Sequence, residues 1–207
     1  MKYLLLLFFI PFFTFNCTAQ KNLEQPDPEY VEVLTGRVDK FLKNAGIQDP
    51  DQYNRVRQII VDQYLAINQL DETTKVKIAQ LKKESATEAM LTAAKNEAQL
   101  SIFARHAQFI AQLQTDLNAE QIEQVKDGMT YGVLPRTYCA YLNLLPQLTE
   151  EQKRFIKANL LEARELAMDK GSSDEKHATF GKYKGRINNY LSAQGYDLKK
   201  AEADAKQ

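Results

Sequence analysis

The sequence predicts an all-α protein, an antiparallel helical bundle of about seven or eight helices in a single domain. Three observations lead there. No glycine or proline occurs between Pro50 and Gly128, which is incompatible with a chain of many short strands joined by turns. Five pairs of residues have the spacing of a capping box, in which one side chain accepts from the amide three residues on and the second reaches back: Asp49 with Gln52, Ser85 with Glu88, Asn118 with Gln121, Thr149 with Gln152 and Ser172 with Glu175. Apolar residues recur at helical spacing in each long segment.

Taken in order, Asn22 to Asp27 reads as a flexible leader, and a first helix is expected over 28–44. A second spans 50–84, with Pro50 at the first helical position, where no amide hydrogen is needed. Its Val56, Ile60, Ile67 and Leu70 share one face, and Asp71 to Thr74 leave room for a break. Ala98, Ile102, Phe109 and Leu113 make the stripe of a third helix, 86–117. Helices over 119–130 and 135–145 follow, the latter starting at Pro135. Phe155, Ile156, Leu160, Ala163 and Ala167 mark 150–169, and helices over 173–194 and 197–205 complete the chain. The short loops imply antiparallel neighbours. The capping patterns are unevenly spaced, so they mark no solenoid repeat.

The first nineteen residues read as a signal peptide, giving 1–19 signal, 20–27 leader and 28–207 helical domain. Lys2 is the basic n-region, Tyr3 to Phe15 is apolar apart from Pro11 and Thr14, and Cys17-Thr18-Ala19 supplies small residues for cleavage. The apolar run is shorter than the roughly 20 residues of a stable anchor, and no second run follows. The expected product is exported, with the periplasm as its compartment and no membrane span in the mature chain. A lipid-anchored form through Cys17 is the rival, against which Thr14-Phe15-Asn16 is a poor approach. Losing Lys2 changes 27 basic and 27 acidic residues to 26 and 27, a net charge of −1 that gives no general pull on nucleic acid. Cys139 is then left without an intramolecular partner, and its neighbours Tyr138, Tyr141 and Leu142 predict a buried thiol.

Little catalytic chemistry is visible. His106 and His177 stand far apart, with no cysteine pair or His-Glu-x-x-His, so no metal is expected, and no phosphate loop or nucleotide fingerprint implies a cofactor. Glu150, Glu151, Glu162, Glu165 and Asp169 read as a solvated helix face rather than a glycosidase pair. The segment from Ser172 to Asp197 has a different texture. Phe180, Tyr183, Ile187, Tyr190 and Leu191 form its core face, and His177, Lys184 and Asn188 fall beside it, with Arg186 and Asn189 nearby. Gly181 and Gly185 inside this helix each cost about 1 kcal/mol against alanine, which predicts close approach of a neighbouring helix or a ligand. A second cluster holds Tyr131, Tyr138 and Tyr141 beside Arg136, and tyrosine rings can stack on apolar sugar faces. His177, Lys184, Arg186, Asn188, Asn189, Tyr138 and Arg136 are the candidate ligand-binding residues. Tight helix packing and ordinary core tyrosines are the competing explanations.

The stretch from Ala167 to Ala201, with Lys176-His177-Ala178-Thr179-Phe180-Gly181-Lys182-Tyr183-Lys184-Gly185-Arg186-Ile187-Asn188-Asn189-Tyr190-Leu191 at its centre, and the motif Val133-Leu134-Pro135-Arg136-Thr137-Tyr138 resemble an exported Bacteroidetes family of unknown function that carries a conjectural sugar-binding label. The resemblance implies a helical fold, export and a place beside polysaccharide-degrading systems, and it brings no catalytic residues. Leu148-Thr149-Glu150-Glu151-Gln152 also resembles the Leu-Thr-x-x-Gln signature of small periplasmic stress chaperones, half matched by Leu117-Asn118-Ala119-Glu120-Gln121, although a capping box preceded by a leucine reads the same way. The expected function is a non-catalytic accessory protein binding a glycan in polysaccharide use. The alternatives are a helical holdase for unfolded protein partners and a glycan-active enzyme.

Overall fold

The computed structural model describes residues 26–204. The signal peptide over 1–19, Cys17 and most of the leader lie outside the described residues, as does the end of the last helix. Eight helices and no strand occur among the described residues: α1 Pro28–Leu42, α2 Pro50–Lys83, α3 Glu88–Asp116, α4 Ala119–Met129, α5 Val133–Leu144, α6 Glu150–Met168, α7 Ser173–Ala193 and α8 Leu198–Asp204. None of the described helices is long and apolar enough to cross a membrane. The all-α bundle is as predicted, and no described helix end differs from expectation by more than two residues.

The capping patterns explain most of these ends. Asn118, Thr149 and Ser172 form complete boxes with Gln121, Gln152 and Glu175. Two expected boxes do not form. Asp49 caps α2 by accepting from the Asp51 amide, while Gln52 turns away to the Asp116 carbonyl at the end of α3. Ser85 instead ends α2, in the left-handed conformation at φ 55°. There the Ala86 amide donates to the Leu81 carbonyl at 2.9 Å and the Ser85 amide to Lys82 at 3.1 Å, the paired bonds of a Schellman stop. Thr87 caps α3 in its place, accepting from the Met90 amide at 3.3 Å. Pro135 sits at the third position of α5, still among the amides a helix start leaves free. No break occurs at Asp71 to Thr74: Thr74 Oγ1 donates to the Leu70 carbonyl and Asp71 pairs with Lys75 within one helical surface.

The apolar stripes converge on two cores. Leu34, Val38 and Leu42 of α1 meet Val56 and Ile60 of α2, Phe109 and Leu113 of α3, and Val125 and Met129 of α4. Tyr141 of α5, Ile156, Leu160 and Ala163 of α6, and Phe180, Tyr183, Ile187 and Leu191 of α7 form the second. Helix α6 belongs to both, because Met168 at its end packs into the first. Between the cores runs a polar seam. Arg164 of α6 donates to Asp127 and Glu123 of α4 at 2.9 and 2.5 Å, and Lys126 Nζ meets Glu165 at 3.0 Å. On the α2–α3 side, His106 Nδ1 lies 2.8 Å from Asp169, and Arg105 Nε donates to Gln63 at 2.7 Å.

One glycine is required by this packing. A Cβ on Gly128 of α4 would lie 2.9 Å from Phe41 Cβ and closer still to the Phe41 ring. Alanine is the better helix former by about 1 kcal/mol, but the Phe41 ring lies directly on the α4 backbone. Gly128→Ala is therefore expected to lower stability by about 1–3 kcal/mol. Denaturant midpoints measure this, and an unchanged or raised midpoint would mean that Phe41 is loosely seated.

Candidate functional site

A concavity of about 650 Å3 lies between α1, α2 and α4. That is within the range of small-molecule sites. Arg37, Lys40, Phe41 and Asn44 line one wall, and Gln124, Asp127 and Gly128 the other. Arg37, Phe41 and Asn44 stand four and three apart, as Gln124 and Gly128 stand four apart, so each set comes from one side of its helix and the turn after it. Tyr64 of α2 and the Tyr131-Gly132 turn complete the lining.

That turn has unusual backbone geometry. After α4 the Tyr131 amide donates to the Gly128 carbonyl at 3.2 Å and the Gly132 amide to Asp127 at 2.7 Å, again a Schellman stop. It places Tyr131 in the left-handed region at φ 59°, followed by Gly132 at 62°. Glycine or asparagine is usual at such a position, and a bulky aromatic is an outlier. The Tyr131 ring stacks on His177 with centroids 5.7 Å apart, and Arg136 Nη2 donates to the Tyr131 carbonyl at 2.7 Å.

Beneath the turn lies Lys176, 3% exposed. Its Nζ donates to the Met129 carbonyl at 2.9 Å and faces the rings of Tyr64 and Tyr131 at 4.9 and 5.9 Å. No carboxylate pairs with it among the described residues. Burial, and then the positive charge of Arg37, bring its pKa down to about 8, against a smaller opposing pull from Asp169.

A second groove of about 440 Å3 lies between α5, α7 and α8 and brings together three of the predicted residues, Arg136, Lys184 and Asn188. Tyr141 donates to Asn188 Oδ1 at 2.6 Å along its floor. Burial, aided by the charge of Glu202, pushes the Tyr141 hydroxyl up to about 12. The other predicted residues lie elsewhere. His177 stacks on Tyr131 and lines neither groove. Arg186 turns to α6, contacting Asn159 and Glu162 at 3.3 Å and covering the Tyr183 ring. Tyr138 packs half-buried on the second core, and Asn189 is exposed. Two expectations need correction. A Cβ on Gly181 or Gly185 would meet nothing within 4 Å, so no neighbouring helix approaches these glycines. Cys139 is exposed, because α5 turns Leu134, Tyr138 and Tyr141 inward and leaves Cys139 on the outer side.

Two groups escaped the sequence reading. The His106–Asp169 pair joins residues 63 apart, which no local spacing announces. Lys176 did leave a signal: with Phe180, Tyr183, Ile187 and Leu191 it continues the buried stripe of α7 at steps of three and four. A lysine on such a stripe marks a charge the fold has to accommodate.

The fold and its main concavity define an all-α bundle with an aromatic, cation-lined groove. The family described as "Protein of unknown function (DUF3826)" matches residues 31–207, and the chain belongs to it. The match takes in every lining residue of both grooves. No curated protein matches the chain.

Two stability outcomes follow from this geometry. The hydrogen bond that His106 donates to Asp169 raises the His106 pKa, with burial opposing and the carboxylate charges of Asp169 and Glu165 assisting. A raised histidine pKa contributes stability that is complete below the unfolded value of about 6.5 and is lost as pH rises through the folded one. The stability difference between wild type and His106→Gln is therefore larger near pH 5.5 than near pH 8.5, as denaturation at both would show; the reverse trend would rule out a charged His106–Asp169 pair. Gly181→Ala and Gly185→Ala each raise stability by about 0.5–1 kcal/mol, since their Cβ atoms enter open space. A loss in thermal melts would mean that the helix needs glycine for a reason internal to its backbone.

Proposed function

We propose that the protein is an exported, non-catalytic carbohydrate-binding accessory protein and that the groove between α1, α2 and α4 holds the sugar. The observation that carries this reading is Tyr131. A left-handed backbone costs a non-glycine residue roughly 1–2 kcal/mol, yet the residue held there is an aromatic whose ring lines the groove. Local strain retained beside a cavity is a pointer to function. Phe41, Tyr64 and Tyr131 supply apolar faces for pyranose rings, and Asn44 and Gln124 supply paired donors and acceptors for hydroxyls. Chemistry on the sugar is disfavoured by the lining, which contains one carboxylate, Asp127, already engaged by Arg164. A glycosidase uses two. Export rests on the N-terminal sequence, and the link to polysaccharide use on the family resemblance.

A holdase role draws on a different region. Beyond Asp71, the distal parts of α2 and α3 bury only Ala94 before Phe109, while Val76, Met90, Leu100 and Phe103 are exposed. Scattered apolar side chains on a two-helix arm are a surface that unfolded clients could use.

Titration calorimetry against a polysaccharide panel, run beside a client-aggregation assay, separates the two. Tyr131→Gly is the informative variant, because it relieves the backbone while removing the ring. Its expected stability is within about 1 kcal/mol of wild type, with sugar affinity lowered about tenfold. Unchanged sugar binding would remove Tyr131 from the site. Suppression of client aggregation that Met90→Gln and Phe103→Gln abolish, with no glycan bound at all, would establish the holdase instead.

A further inference from the structure

The α1–α2–α4 groove carries more basic than acidic side chains. Arg37 and Lys40 stand one turn apart on α1 and both line it. Neither makes an ion pair among the described residues. The single lining carboxylate, Asp127, is held by Arg164 Nη1 at 2.9 Å and pairs with neither of them. Behind the aromatic wall lies Lys176, buried and without a carboxylate partner among the described residues. Taking a cation out of water costs several kcal/mol unless an opposite charge compensates it. Its bond to the Met129 carbonyl asks only for a donor. The cavity thus holds two open cations at its wall and a third beneath its floor, facing the Tyr64 and Tyr131 rings.

Resting on the carbohydrate reading above, we propose that the ligand is an acidic saccharide, a glycan containing uronic-acid units. One carboxylate lies between Arg37 and Lys40, and the ring that carries it lies against Tyr131. A guanidinium presents parallel donors that match a planar carboxylate, which is what C6 of a uronate offers in place of a hydroxymethyl group. Lys176 touches no ligand atom. It is a positioning residue that holds the turn carrying Tyr131 and adds positive potential across the two rings.

The test is calorimetric titration of the purified protein with oligogalacturonate and oligoglucuronate beside their methyl esters, which keep the sugar and remove the charge. The acids should bind about tenfold more tightly than the esters, with the advantage shrinking as salt is raised. Arg37→Gln and Lys40→Gln, both at exposed positions, should each cost the acids about tenfold and leave the esters unchanged. Lys176→Met, its fold checked by melting, should weaken the acids more than it weakens the esters, because it loosens the Tyr131 turn for both and removes the positive potential for the acids alone. Equal binding of acids and esters would overturn the acidic inference while the carbohydrate reading stands. Binding of acids that neither Arg37→Gln nor Lys40→Gln weakens would overturn this groove as the site. No saccharide binding at all would overturn both.

Discussion

The Arg164 guanidinium sits 2% exposed between two apolar cores, and the arrangement of the bundle depends on how its charge is met. A buried arginine is tolerated only where carboxylates and hydrogen bonds replace its water. Asp127 and Glu123 on α4 take two of its bonds, and Glu165, its chain neighbour, takes a third at 3.2 Å. For Glu123, burial works to raise the pKa, but the hydrogen bond and charge of Arg164 outweigh it and leave the carboxyl below its ordinary range. Nε finds no protein partner among the described residues, so the seam is not cost-free. What it achieves is register: α6 can dock on α4 only where Arg164 meets both carboxylates one helical turn apart. The two cores are thereby joined across a polar boundary that hydrophobic burial alone would leave free to slide.

The groove inherits its geometry and its sign from that seam. Arg164 holds Asp127 on one side, and the same residue's carbonyl receives the Gly132 amide that closes α4. Lys176 then caps the Met129 carbonyl and Arg136 caps that of Tyr131. Three cations from α5, α6 and α7 thus converge at the C-terminal end of α4, where the helix dipole favours them. They fix the turn that carries Tyr131. Among the described residues Arg37 and Lys40 are also left without a carboxylate partner, because Asp127 is turned to Arg164. Gly128 completes the arrangement by letting Phe41 pack directly against the α4 backbone, which brings α1 close enough to form the opposite wall.

The helices were legible because their signals are local. Asn118, Thr149 and Ser172 announce starts that the structure keeps, and the stripes through Val56, Phe109, Ile156 and Ile187 name the buried faces. Ser85 misled because a polar residue three before a glutamate can start a helix or, as here, finish the previous one in a left-handed turn. The site was less legible because it is built across elements. Lys184 and Asn188 of α7 share a groove with Arg136 of α5, which the sequence put in a separate cluster, while His177 of the same α7 edge does not line it, and the larger cavity draws on α1, α2 and α4, whose contributions carry no common motif. Nothing at Arg37 or Asp127 in the sequence says that one will be left unpaired and the other claimed by a residue 37 positions on.

Two departures from good local chemistry remain, and they do not have equal weight. Gly181 and Gly185 lower helix propensity on α7, but each faces open space, and no side chain has been arranged around either. An unfavourable residue at an exposed position is what mutation leaves wherever stability exceeds the threshold for folding. Tyr131 differs in kind. Its strained backbone is held by two hydrogen bonds from the Tyr131 and Gly132 amides to α4 carbonyls, by Arg136 on its own carbonyl, by His177 on its ring and by Lys176 below. Four elements, α4, α5, α7 and the turn itself, are committed to keeping one aromatic ring 38% exposed at a cavity edge. Glycine at 131 would ease the backbone and need none of these supports. Strain that is surrounded by such reinforcement has been kept for what the ring does at the surface.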